Sequence, residues 1–221
     1  IMYLAFDTET TGIDAFKNNL LTACFIVLDD NLVEIDRLNL NIKYNEYNIS
    51  VRAMEINKID LIKHHNSRNS VDLKTARSML LDFLRKNKKA HSNSSLSYGY
   101  NLFTPIGHNV SFDINFIKGC GLLSEYEDNS YISFNCVDTI CIEQFLKLTG
   151  EIPKTQSISL VNLCSYYNIK SEGNTESYHT AEYDIVMTLH LLRKFKTLNG
   201  NIINEYNIQD NNSKKRRRGA Y

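Results

Sequence analysis

Five apolar residues, Met2 to Phe6, run without a break into two acids set one residue apart, Asp7 and Glu9. A strand with one wet face alternates apolar and polar residues, whereas an unbroken apolar run marks a central strand covered on both faces. Such a strand requires a layered sheet with helices packed against it. Along it, Asp7 and Glu9 point to one side and Thr8 to the other. Two neighbouring carboxylates in a partly buried place repel, and one takes up a proton unless a cation intervenes. The pair reads either as a solvated strand end or as part of a ligand site, because open α/β sheets bind ligands at the carboxyl ends of their strands.

The pattern further along agrees with a sheet. Asn19 to Val27 is a second apolar run, Asp29-Asp30-Asn31 a turn, and Leu32 to Ile42 a third and more exposed strand. Val51 to Lys63 has a helical cast. In Ser70 to Lys86, the residues Leu73, Ala76, Leu80, Phe83 and Leu84 share one helical face. "HSNSSLSYGY", His91 to Tyr100, is predicted as a surface loop. Phe103 to Gly107 is predicted as a short strand with Pro105 near its start. Helices are predicted over 110–118, 138–148, 159–167 and 180–196. Strands first, then strands alternating with helices, predict an α/β fold with a mixed sheet flanked by helices.

At 221 residues the chain can bury a sizeable core without disulfides or a structural metal. Its cysteines (Cys24, Cys120, Cys136, Cys141, Cys164) are odd in number and form no CxxC, which predicts reduced thiols in an intracellular, cytoplasmic setting. No apolar stretch is long enough to span a membrane. The strand pattern at the start leaves no room for a signal peptide, and Ile1 is set aside as a processing remnant. The zero net charge hides an asymmetry. Lys214, Lys215, Arg216, Arg217 and Arg218 hold five of the 25 basic residues, leaving 20 against 25 acidic ones. A body near −5 is unlike a groove for duplex DNA, although metal ions can offset acids locally. The basic run itself reads as a solvated tail or as a tether for phosphate.

Two more segments place acids beside turns. In "PIGHNVSFDINFI", Pro105 to Ile117, Asn109 is predicted as the N-cap of a helix and Asp113 falls in its first turn. A carboxylate there has an ordinary explanation in the helix dipole. Phe112 and Phe116 are expected in the core, and His108 as a structural hydrogen bonder. In "YHTAEYD", Tyr178 to Asp184, His179 and Asp184 are five residues apart and cannot share a helix face. The spacing fits His179 on a loop, Thr180 as the cap and Asp184 on the helix; a plain surface histidine is the other reading.

"FDTETTG", "GHNVSFD" and "HTAEYD", in that order, resemble the three exonuclease motifs of the DnaQ-like DEDDh superfamily, which includes the proofreading epsilon subunit of bacterial replicative polymerases and ribonuclease T. The resemblance runs from Met2 to about Leu192. It implies a ribonuclease H-like fold with a mixed five-stranded sheet, an exonuclease domain over 1–200 and a C-terminal extension over 201–221. It implies Asp7, Glu9, Asp113 and Asp184 as carboxylates for two ions, Mg²⁺ or Mn²⁺, and His179 as general base. An oxygen-rich donor set of this kind suits those hard cations rather than zinc. Thr10 and Thr11 would meet a terminal 3′-hydroxyl. In "AMEINKID", Asn57 and Lys58 stand where the family has a His-Gly pair that contacts the terminal nucleotide, and Asn57 with Asn109 completes the expected substrate contacts.

The implied activity is 3′–5′ exonucleolytic release of nucleoside 5′-monophosphates from single-stranded DNA ends, in proofreading or repair. A separate polymerase or clamp is the expected partner, docked through the basic tail, and no membrane is involved. RNA trimming is the alternative within the same chemistry, since nothing reads the 2′-hydroxyl unambiguously. A catalytically silent nucleic-acid- or polymerase-binding module is the alternative from another class. It has no need of four acids and a histidine in these patterns. A carboxylate-metal glycosyltransferase would need a sugar-nucleotide pattern, and none is present.

Overall fold

The computed structural model describes residues 2–92, 102–170 and 180–197. The apolar run with its two acids forms β1 (Tyr3–Thr10), which pairs antiparallel with β2 (Leu20–Leu28) and parallel with β5 (Thr104–Gly107). Beyond β2 lie β3 (Glu34–Lys43) and the short β4 (Ser70–Asp72); beyond β5 lies β6 (Val137–Asp138). The order is β4-β3-β2-β1-β5-β6, so β1 is interior, as its unbroken hydrophobicity requires.

Both faces are covered. Leu4 and Phe6 pack with Phe25, Val27, Leu40 and Ile42 beneath α3 (Leu73–Ser92) and α4 (Val110–Gly119), which contribute Leu80, Leu84, Phe116 and Ile117. Ala5, Cys24, Ile26 and Ile106 face the other way, beneath Ala181, Ile185, Leu189 and Leu192 of α8 (181–197). Each fully buried Leu, Ile or Phe contributes roughly 1.5–3 kcal/mol, so these two layers dominate the fold's stability. The remaining helices are α1 (Val51–Asn57), α2 (Leu61–Asn66), α5 (Glu125–Tyr131), α6 (Thr139–Thr149) and α7 (Leu160–Tyr166). Among the described residues, no helix is long and apolar enough to cross a membrane.

The departures from expectation are local. The sheet has six strands among the described residues, not five, because Ser70–Asp72 pairs with Asn41–Lys43 instead of opening the following helix. Asp72 then receives Thr75 N at 2.9 Å and starts α3 at Leu73. Three residues are too few for any periodicity to register. The helix expected over Val51 to Lys63 is two helices. Lys58 turns left-handed at φ 56° and ends α1, and the Asp60 carboxylate caps α2 through Ile62 N and Lys63 N. Helix α5 is additional to the predicted helices, although Ser124 and Glu127 form a reciprocal capping box legible in the sequence. Of the predicted loop His91 to Tyr100, the first two residues close α3 and the rest lie outside the described residues. The boundary at 200/201 and the basic tail lie outside them too.

Candidate active site

The site begins where β1 outruns its neighbour. Strand β5 pairs with β1 only from Tyr3↔Thr104 to Ala5↔Ile106, so Asp7 and Glu9 lie beyond its end. On the other side they remain paired, Asp7 with Cys24 and Glu9 with Thr22. The register then shifts between Glu9 and Thr10, an irregularity of the kind that re-aims side chains beside functional sites. One flank of β1 is therefore open to groups from elsewhere in the chain.

Helix α8 supplies one. Thr180 caps it as expected, its hydroxyl accepting from Tyr183 N at 3.2 Å, and Asp184 follows in the first turn. Ala181 and Ile185 anchor that turn on the face that also carries Ala5. Asp184 thereby meets Asp7 and Glu9, with one carboxylate oxygen of each within 4.8 Å of the others. His179 lies outside the described residues.

Asp113 comes from the opposite layer. It sits on α4, only 3% exposed, and its Oδ1 accepts a 2.6 Å hydrogen bond from the Thr8 hydroxyl. The residue between the two acids thus uses its opposite orientation to hold the fourth carboxylate. Asn109 occupies the N-cap position of α4 as expected, but at φ 68° its side chain makes no capping bond. Asp138 performs that task, taking Asn109 N at 3.0 Å and Val110 N at 2.9 Å while also capping α6 through Ile140 N at 2.9 Å. A side chain reaching across from β6 leaves no local sequence signal, so the sequence shows the cap position but not the group that accepts from its backbone. His108 hydrogen-bonds Thr139 Oγ1 at 2.8 Å, a structural tie between the end of β5 and α6. Phe116 is fully buried and Phe112 packs against the same core.

Electrostatics mark the cluster as strained without a cation. Burial, then the charges of Asp113, Asp184 and Glu9, push the Asp7 carboxyl well above the ordinary range. Burial and the Asp184 and Asp113 charges raise Glu9 to about 8. Asp113 rises to about 7 through burial, against the pull of its Thr8 hydrogen bonds. Carboxylates in this arrangement either hold protons or bind a positive ion. Among the described residues Asp7, Glu9 and Asp184 form a group suited to a metal, with oxygen donors only.

The remaining expected substrate-binding residues are occupied internally to different degrees. Thr10 and Thr11 are buried, and their hydroxyls donate to Gly12 O and Asn48 O at 2.6 Å each. Asn57 is 7% exposed; its Nδ2 donates to Thr10 O at 2.9 Å and its Oδ1 accepts from Ile59 N at 3.0 Å. These three residues brace the loop after β1. Asn109 lies at the surface, and its Oδ1 accepts only a long 3.3 Å hydrogen bond from the Ser111 hydroxyl.

Neither a protein-family model nor a curated protein matches the sequence. Solved structures do match. An exonuclease I structure concerned with processivity aligns with a TM-score of 0.66 at 16% identity, covering 89% of this chain and 41% of that one. A zinc-ion-bound E. coli exonuclease I–ssDNA complex aligns at 0.65 and 13%, covering 92% and 42%. Exonuclease I from Methylocaldum szegediense aligns at 0.61 and 15%, covering 89% and 40%. The chain therefore spans about two fifths of the length of the proteins it matches. Exonuclease I is a member of the DnaQ-like DEDDh superfamily whose motifs the sequence resembles, and the six-stranded α/β architecture of this chain shares its ribonuclease H-like fold.

Proposed function

We propose that this chain is a divalent-metal-dependent 3′–5′ exonuclease acting on single-stranded DNA. The observation that carries the reading is the convergence of Asp7, Glu9 and Asp184 within 4.8 Å, from a strand end and a helix start far apart in sequence. Asp113, locked by Thr8 on the other flank, is the fourth acid of the set. The donor chemistry fits Mg²⁺ or Mn²⁺, and the raised carboxyl pKa values are what an uncompensated cation site produces. Asp7, Glu9 and Asp184 would hold one ion, with Asp7 and Asp113 toward a second. Bound ions would supply charge neutralisation at phosphorus and an acidified water. The chain's own contribution is the fixed geometry of the four acids. His179, in the segment just before Thr180, would take the proton from the attacking water. The likeness to exonuclease I structures, several of them complexes with DNA oligonucleotides, supports single-stranded DNA as substrate. A complex of exonuclease I with an SSB C-terminal peptide makes such a peptide a more concrete partner to test than a polymerase or clamp. Proofreading is one cellular use of this activity, and preferential attack on frayed over paired 3′ ends would support it.

The test is degradation of single strands labelled at the 3′ or 5′ end, DNA against RNA, with Mg²⁺, Mn²⁺, Zn²⁺ or chelator. Label loss first from the 3′ end, dependent on metal and abolished in folded Asp7→Ala and Asp184→Ala proteins, is the expected result. Either variant working at full rate in chelator refutes the metal assignment. Degradation from the 5′ end refutes the reading as a whole, and faster attack on RNA moves it to the exoribonuclease alternative.

A further inference from the structure

The first turn of α8 has little apolar surface with which to fix its own rotation. Its buried residues are Ala181 and, one turn on, Ile185, which pack in one layer with Cys24 and Ile26 of β2. At roughly 100° per residue, Glu182 and Asp184 project about 80° to either side of that stripe. They reach different strands. Asp184 joins Asp7 and Glu9 of β1, and Glu182 pairs with the Arg37 guanidinium of β3. Strand β2 lies between the two. A roll of the helix about its axis would therefore carry one carboxylate toward the sheet and the other away from it. Ala181 opposes such a roll with a single methyl group.

Arg37 is arranged to oppose it more strongly. It stands opposite Ile26 in the β2–β3 register, so its side chain lies on the α8 face of the sheet. Glu34 holds it from its own strand. Nε donates to Glu34 Oε1 at 2.9 Å and Nη2 to Glu34 Oε2 at 2.6 Å, the paired contact that fixes a guanidinium in plane. Nη1 is left to donate to Glu182 Oε1, 145 residues away in sequence. A guanidinium aligned in this way loses little further freedom on taking a second carboxylate. An Arg–Glu pair as exposed as this one adds little to stability, and the helix dipole favours an acid in a first turn without any partner. Neither effect needs an arginine aligned in advance by Glu34. Position is what such a bridge controls, and a misplacement of about 1 Å costs up to ~10²-fold in rate.

We infer that Arg37 is a positioning residue for the acid cluster: through Glu182 it sets the roll of α8, and with it the distance from Asp184 to Asp7 and Glu9. The inference rests on the nuclease reading and adds how the site is held ready for its cation. Its test is Mn²⁺ binding by calorimetry, together with degradation of a 5′-labelled thymidine octamer in Mn²⁺. The proteins are wild type, Arg37→Ala, Glu182→Ala, the double variant and Glu182→Gln. Each single alanine variant should bind Mn²⁺ roughly tenfold more weakly and lower kcat by a similar factor, with KM within about twofold of wild type. The double variant should be no worse than either single one, because all three lack the same contact. Glu182→Gln keeps an acceptor for Nη1 and should recover part of both losses. Glu182→Ala should melt within about 4 °C of wild type, so its losses cannot be ascribed to unfolding. Wild-type Mn²⁺ affinity and kcat in both single variants, in a preparation whose wild type degrades DNA with metal, overturn the positioning role alone. Losses that add up in the double variant overturn it too, as does a raised KM at unchanged kcat, which would make Arg37 a substrate contact. A wild type that neither binds Mn²⁺ nor degrades any strand overturns the nuclease reading and the positioning role together.

Discussion

Glu9 has its ionisation set by its neighbours more than by its own chemistry. Its folded pKa, about 8, lies above the ordinary value of 4.5 because burial and the Asp184 and Asp113 charges disfavour the anion. The folded state therefore binds more protons than the unfolded one between these two values, and stability falls as pH rises through that window. Asp113 adds a similar effect up to about 7. Metal-free protein should unfold at lower temperature at pH 8 than at pH 5. Glu9→Gln should flatten the dependence and be more stable than wild type at pH 8, by on the order of a few kcal/mol. Thermal melts in chelator measure this. Adding Mg²⁺ or Mn²⁺ at pH 8 should restore the wild type and help the variant less. A glutamine variant with an unchanged pH profile would mean that a cationic group already neutralises Glu9 in the folded protein.

At the scale of elements, Asp138 organises the helical flank of the site. Its one carboxylate satisfies backbone N–H groups at the starts of both α4 and α6, so the orientation of the helix bearing Asp113 depends on β6. Loss of a helix cap costs about 0.5–2 kcal/mol, and here two helices lose theirs. Asp138→Ala should thus lower unfolding stability by about 1–3 kcal/mol in a urea titration. It should also lower kcat more than it raises KM, because Asp113 shifts relative to Asp7 while the pairing of β1 with β2 is untouched. Asp138→Asn keeps one acceptor oxygen and should recover part of both losses. A stability loss with full turnover would show that Thr8 alone is enough to hold Asp113.

At the scale of the whole molecule, charge is divided along the chain: 20 basic residues face 25 acidic ones outside the run Lys214 to Arg218. An acidic surface slows approach of a polyanion, and five linked cations can offset that. Removing 213–221 should raise KM for long single strands, leave dinucleotide turnover unchanged and make the salt dependence shallower, by up to ~0.7 for each phosphate the tail neutralises. Steady-state kinetics on matched long and short substrates at two salt concentrations decide this. Equal salt slopes for the two forms would remove nucleic acid as the tail's ligand and favour a protein partner.

Much of the architecture is legible along the chain because strand and helix periodicities are local. The unbroken run Met2 to Phe6 already demands an interior strand, and the spacing of Ala181, Ile185, Leu189 and Leu192 demands a helix with one buried face. Asp7, Glu9, Asp113 and Asp184 stand out along the chain only through the resemblance of three ordered motifs, since taken singly Asp113 has an ordinary explanation in the helix dipole and Asp7 with Glu9 could end a solvated strand. Other features are invisible for a common reason: they depend on pairs of residues distant in sequence. The edge strand Ser70–Asp72 exists only because β3 lies beside it. The capping of α4 by Asp138 and the Thr8–Asp113 bond, 105 residues apart, likewise follow from packing. Residue types nominate the acids, but whether they meet is decided by how far β5 runs beside β1 and how α8 lies on the sheet. Those are consequences of burying two apolar layers at once, a property of the folded molecule and not of any segment within it.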